Sequence, residues 1–250
     1  MTDHEKVFAG FVEEARERAG RSLVSVVAHG SSLGPQFRPG ISDYNFLLVA
    51  DPVDLPLLER LATHAGRWRK RRISVPLVVR PIFIASALDS WPLEFLSMKA
   101  QYRVLYGEDP LAGIAFQPEH IRLQCEREIR SKLILFRGAY IECGGAPKRL
   151  KLALDRGWPS LQAIFRGLLY LKGGPWQAQG EPAWKASADL LALPPNLLPE
   201  LNAMRLSRSI PARGVITAQF NQVLETLVAE QAIGGEIGIS ASHVAREGHR

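Results

Sequence analysis

His29-Gly30-Ser31-Ser32-Leu33-Gly34-Pro35-Gln36-Phe37-Arg38-Pro39-Gly40-Ile41-Ser42-Asp43-Tyr44-Asn45-Phe46-Leu47-Leu48-Val49 is the stretch whose reading decides the fold. It follows an apolar, β-branched run, Leu23 to Ala28, and leads into a second one, Tyr44 to Ala50. A strand thus enters a Gly-Ser loop, and a short basic loop returns the chain into a strand headed by Ser-Asp-x-Asn. Glycine lets a backbone approach a phosphate with no Cβ in the way, and serine hydroxyls and exposed N–H groups donate to it. Asp43 and Asn45 are two apart on a strand, so both leave the same face, with Cα atoms roughly 7 Å apart. Oxygen ligands at that spacing, facing a phosphate cradle, suit Mg²⁺-dependent transfer of a nucleotidyl group.

Outward from this core, residues 4 to 19 carry Val7, Phe8, Phe11, Val12 and Ala15 at helical spacing, and Gly20 ends that helix. Asp51 to Asp54 cap a short helix reaching Ala65, with Leu57, Leu58 and Leu61 inward. Arg67-Trp68-Arg69-Lys70-Arg71-Arg72 reads as a solvated loop. Ile73 to Ile84 reads as an edge strand or two short pieces, because Pro76 and Pro81 interrupt it. Ser86-Ala87-Leu88-Asp89 has capping-box spacing, and Gln101 to Tyr106 is one more strand, ended by Gly107.

From Pro118 the period changes. Ile121, Cys125, Ile129, Leu133, Phe136, Tyr140 and Cys143 recur every three or four residues, with Glu126/Arg130 and Glu128/Lys132 pairs on the wet side. Further helices are expected at Lys148–Asp155, Ser160–Lys172, Trp184–Leu191 and Ala212–Ala232. The expected organisation is an α/β domain over 1–115 built on a mixed sheet, an all-α helical bundle over 116–233, and a flexible Gly/Ser/His-rich tail over 234–250.

The segment from His29 resembles the DNA polymerase β-like nucleotidyltransferase superfamily, whose smaller members include the aminoglycoside nucleotidyltransferases. The shared pattern is an apolar strand, Gly-Ser, a gap of about ten residues and Asp-x-Asp/Glu at the head of the next strand. Here eleven residues separate Gly30-Ser31 from Asp43. The resemblance covers residues ~20 to 110 and extends to Tyr106-Gly107-Glu108-Asp109, similar to the strand end that closes such domains. It implies a triphosphate site at Gly30, Ser31 and Ser32, and a Mg²⁺ site at Asp43, with Asn45 where a second carboxylate stands in the family.

The family's third carboxylate, which helps activate the attacking hydroxyl, is implied in the stretch Leu77 to Ile82. That stretch holds no acid, which leaves Asp89 and Glu94 as substitutes. The implied activity is transfer of a nucleoside monophosphate from an NTP to a hydroxyl acceptor, a small molecule or a protein, lying between the domains. The competing readings are a catalytically inactive sensor or interaction module of the same fold, and nucleic-acid binding through Arg67 to Arg72. His29 is expected to be a hydrogen-bonded structural residue beside the loop. Glu142 and Asp155 are expected to be surface charges.

Composition narrows the field. Hydrophobic residues are 46% and charged ones 22%, ordinary for a globular protein, and no apolar run approaches the ~20 residues of a membrane span. The N-terminus lacks the pattern of a secretory leader, so the expected location is the cytoplasm. A net charge of +6 suits anionic partners. Cys125 and Cys143 lie on one expected helix, roughly 27 Å apart at helical rise, which excludes a disulfide between them and favours reduced core thiols.

Overall fold

The computed structural model describes residues 3–34, 37–38 and 42–247, with side chains described from residue 4 to residue 230 outside the same gaps. The chain divides into two compact units, Met1–Gln117 and Pro118–Arg250.

The first unit is built on a four-stranded sheet in the order β3-β2-β1-β4, from β1 (Leu23–His29), β2 (Asn45–Ala50), β3 (Leu77–Val79) and β4 (Tyr102–Gly107). β1 runs antiparallel to both β2 and β4, while β2 and β3 are parallel, so the sheet is mixed. Val26 pairs with Leu48 and Val27 with Leu47.

Alternate residues of the central strands go to opposite faces, and both faces are covered. On one face Val26, Ala28, Phe46 and Leu48 pack against Phe8, Phe11 and Ala15 of α1 (Asp3–Ala19) and Leu57 and Leu61 of α2 (Leu55–Ala62). The Phe11 and Phe46 rings stack at 3.8 Å, and burying each such ring is worth about 1.5–3 kcal/mol. On the other face Val27, Leu47 and Val49 meet Ile84 of α4 (Pro81–Ser86) and Phe95 and Met98 of α5 (Pro92–Ala100). Two sides of apolar cover explain why the strands read as almost unbroken hydrophobic runs.

Three sequence expectations in this unit are corrected. Arg67 to Arg72 is no loop: Ala65–Lys70 forms helix α3, because Trp68 is buried and its Nε1 donates to Glu14 on α1 at 2.8 Å. The stretch Ile73 to Ile84 does supply an edge strand, but a shorter one, Leu77–Val79, since Pro81 opens α4 at its first position. Ser86 caps nothing; it is the last residue of α4, its hydroxyl donates to the Phe83 carbonyl, and α5 starts instead at Pro92.

The second unit holds α6 (Pro118–Cys143), α7 (Pro147–Leu171), α8 (Glu181–Leu191), α9 (Leu197–Leu206) and α10 (Arg213–Glu247). α6, α7 and α10 pack on one another, with Phe136 and Tyr140 each 5.6 Å from the Phe220 ring. The two helices expected around residues 148–172 are one, continuous through Pro159. Leu154, Trp158 and Leu161 bury on either side of the proline, so packing outweighs the lost backbone bond. α9 escaped the sequence reading. The backbone of α10 runs past Ala232, where the expected helix ended, as far as Glu247. Residues 248–250 lie outside the described residues. No helix among the described residues is long and apolar enough to cross a membrane.

Candidate functional site

The register fixes where the motif residues stand. His29 ends β1 and pairs with Asn45 at the head of β2 and with Tyr102 at the head of β4, so Asn45, His29 and Tyr102 form a row across one end of the sheet. Directly paired residues share a face. By alternation it is the face of Val27 and Leu47, which α5 covers.

Gly30–Leu33 forms a 3₁₀ turn straight after His29. Gly30 adopts φ +77°, a left-handed conformation that favours glycine, and a Cβ there would lie 3.5 Å from Asn45 Nδ2. Its N–H donates to the Gln101 carbonyl at 2.9 Å, which ties the turn to the entry of β4. Ser31 is exposed. Ser32 is buried, and its Oγ has no hydrogen-bond partner among the described residues. A buried hydroxyl without a partner is costly, and an anion's oxygen would satisfy it.

The return loop is anchored by aromatics: Phe37 lies 4.4 Å from the His4 ring and 4.9 Å from Tyr44, which itself packs on Phe8. Pro35, Gln36, Pro39, Gly40 and Ile41 lie outside the described residues. Asp43 follows, half exposed, and its Oδ1 makes an ion pair of 3.0 Å with Arg72 Nη2. Arg72 comes into place because α3 is clamped to α1. Glu14 accepts from both Trp68 and Arg71 at 2.8 Å, and Arg71 also donates to the Val7 carbonyl. Tyr44 N–H then donates to the Arg72 carbonyl at 2.8 Å. Two cations of the basic run are thus committed to carboxylates.

Asp89 sits exposed in the turn between α4 and α5; Glu94 is half-buried in the first turn of α5, the helix that packs against the Gly30–Leu33 turn. Among the described residues no group of three or more His, Cys, Asp and Glu side chains is placed to hold a metal ion. The neighbouring strand supplies no acid either. Leu77 to Ile82 lies level with the far end of β2, where Val79 pairs with Val49 and Arg80 reaches Asp51 at 3.1 Å. The segment beside Asn45, bracketed by the Tyr44↔Ile73 bridge and the Leu47↔Leu77 pair, is Ser74-Val75-Pro76. One carboxylate, one amide and a guanidinium do not fit a paired Mg²⁺ centre.

Burial pushes the His29 imidazole down to about 4, so it is neutral near pH 7 and brings no positive charge to a phosphate. Tyr102, its other neighbour, donates to Asp109 Oδ2 at 2.8 Å, and burial followed by that carboxylate holds its hydroxyl above its ordinary range. Tyr102 was not singled out from the sequence, and Arg72 entered only as part of the Arg67 to Arg72 basic run; strand pairing, which a single sequence does not print, places both. Asp155 pairs with Lys151 at 2.8 Å and Glu142 is exposed. Cys125 is a buried free thiol pushed up to about 12 by burial and the acids around it, whereas Cys143 is only half-buried.

No protein-family model matches the chain, and no curated protein matches it. A solved structure does: the spectinomycin adenyltransferase AAD(9) from Enterococcus faecialis, crystallised with ATP and spectinomycin. It is 11% identical with a TM-score of 0.56, over 89% of this chain and 98% of that one. At that identity the likeness establishes a nucleotidyltransferase-like fold.

Proposed function

We propose that this chain binds a nucleoside triphosphate by its phosphates at the Gly30–Leu33 turn, beside Asp43 and Asn45, and that its nucleotidyl transfer is weak or absent. The observation that carries the reading is the buried, unsatisfied Ser32 hydroxyl in a Gly-Ser turn that abuts Asn45. The fold supports it, since the similar adenyltransferase was crystallised with ATP. Ser31 and Ser32 donate to phosphate oxygens, and Gly30 gives the turn its left-handed start. In a transferase of this class an acceptor hydroxyl attacks the α-phosphorus, pyrophosphate leaves, and a base takes the hydroxyl proton. Asp43 is held by Arg72, and Asp89 and Glu94 are the remaining candidates for that base. The acceptor class is a hydroxyl on a small molecule or a protein.

ATP or GTP at about a hundred times its Kd is expected to stabilise the full chain by about 2.7 kcal/mol, a shift of several degrees in thermal melts. Ser31→Ala with Ser32→Ala should remove most of that shift, and a shift that survives intact places the ligand elsewhere. For transfer, α-labelled NTP incubated with cell-extract metabolites and proteins is expected to give labelling near background, in wild type and in Asn45→Asp alike. Strong wild-type labelling that vanishes in Asp89→Ala or Glu94→Ala would establish a working enzyme with a displaced acid and overturn the inactive half of the reading.

A further inference from the structure

Arg72 is one of two non-glycine residues with positive φ among the described residues, at +59°. Left-handed backbone strains any residue with a Cβ and is found where a side chain is needed at that spot. The strain is held on both sides: Arg72 N–H donates to the Arg69 carbonyl at 3.1 Å, and its own carbonyl accepts from Tyr44 at 2.8 Å. The buried Trp68 below accepts the next N–H, that of Ile73, at 2.8 Å. This scaffold delivers the guanidinium to Asp43 Oδ1 at 3.0 Å, with both side chains about half exposed (44% and 51%) and so within reach of a ligand. A glycine would take the backbone conformation without strain, so what arginine adds at this position is its side chain and the pair with Asp43.

We infer that the Arg72 guanidinium supplies, at Asp43, the positive charge that a metal ion supplies in related sites, so that the triphosphate is bound without a divalent cation. This rests on the nucleotide reading of the Gly30–Leu33 turn. A guanidinium is planar, always charged, and carries five N–H donors in a fork that matches both carboxylate and phosphate oxygens. Pairing with Asp43 holds that fork at the entry of β2, the strand whose first residue, Asn45, stands beside His29 and the Gly-Ser turn. Asn45 in place of a second carboxylate then has a consequence: a neutral amide adds no second anion beside the Arg72–Asp43 pair, where another carboxylate would repel a triphosphate.

The test measures ATP binding to the full chain by calorimetry, once in EDTA and once in excess Mg²⁺. Wild type is expected to bind with the same affinity, within about twofold, in both. Arg72→Gly should raise the melting temperature of the unliganded chain, because the strain is released, and yet weaken ATP in EDTA by about tenfold or more. Arg72→Gln removes the charge while keeping a polar side chain, and should weaken ATP to a similar degree should the glycine variant fold poorly. A residue serving only as a clasp for the entry of β2 would change the melt and leave ATP affinity alone, and that result overturns the inference. So does wild-type ATP binding that is tenfold or more tighter with Mg²⁺ than with EDTA, since the metal then does the work; the nucleotide reading survives in both cases. Absence of ATP binding under every condition overturns both together.

Discussion

Gly107→Ala is expected to cost about 4 kcal/mol or more and to leave the α/β unit unfolded or close to it. Gly107 closes β4 opposite Ser25, with φ +76°. A Cβ there would stand 2.0 Å from the Val24 carbonyl oxygen and 3.0 Å from Ser25 Cα. These are backbone atoms of the central strand, so no rotamer change makes room. Left-handed backbone alone costs an alanine about 1–2 kcal/mol, and the collision adds more by forcing β4 away from β1. The ladder locally depends on that approach: buried Ser25 donates to the Tyr106 carbonyl at 3.0 Å, and Val26 pairs with Tyr106 across the irregularity that follows. Because β4 also brings Tyr102 beside His29 and Gln101 to the Gly30 N–H, nucleotide binding should fall with the fold. Urea melts should show the loss, with Gly113→Ala as the control, since nothing lies within 4 Å of a Cβ there and its cost should be small. Equal midpoints for the two variants would mean that β4 does not sit this close to β1.

Periodicity and turn chemistry made most elements legible. β1 and β2 were readable because both faces are apolar, and α6 because five of its seven stripe residues are buried: Ile121, Cys125, Ile129, Leu133 and Phe136. Glu126/Arg130 and Glu128/Lys132 do pair, at 3.7 and 3.5 Å. The failures share a cause, which is local composition overridden by packing. Arg67 to Arg72 looked like loop by charge, yet one buried tryptophan and Glu14 make it helical. Two helices were expected where α7 runs as one, and Gly157 lets α7 approach Phe136 so closely that a Cβ would lie 2.4 Å from Cζ. α9 hid behind Pro194, Pro195 and Pro199, although Leu197, Leu198, Leu201 and Met204 form a helical stripe that could have revealed it.

Spacing and the family resemblance marked Gly30, Asp43 and Asn45 as candidates, and the return of the chain into β2 does bring Asn45 beside Gly30. Arg72 was out of reach of that reasoning. Its contact with Asp43 depends on a helix read as a loop and on a bridge, Tyr44↔Ile73, between segments about thirty residues apart, and neither leaves a local signature. The same limit applies to the missing third acid, since only the observed register shows that Ser74 to Pro76, and not Leu77 to Ile82, adjoins Asn45.

The helical unit carries its own measurable signature in Glu230. This carboxyl on α10 is 1% exposed, and its Oε2 is buried without a hydrogen-bond partner among the described residues. Burial, opposed only in part by Lys172, pushes it up to about 7 from an ordinary value of 4.5. An acid whose pKa is raised on folding favours the protonated state. Below about 4.5 both folded and unfolded chains are protonated there, and the group costs nothing by ionisation. Between 4.5 and 7 the unfolded chain ionises first, and above 7 the folded protein carries the full penalty of a buried charge. A difference of two to three pKa units corresponds to about 3 kcal/mol, so Glu230 should make the protein less stable as pH rises through that window. Glu230→Gln removes the ionisation without changing shape. It is expected to raise the urea midpoint clearly at pH 8 and hardly at all at pH 4.5, because at the lower pH the wild-type carboxyl is already neutral. A Gln variant whose gain is the same at both pH values would show that the carboxyl titrates as an ordinary exposed acid, and that α10 does not bury it against its neighbours.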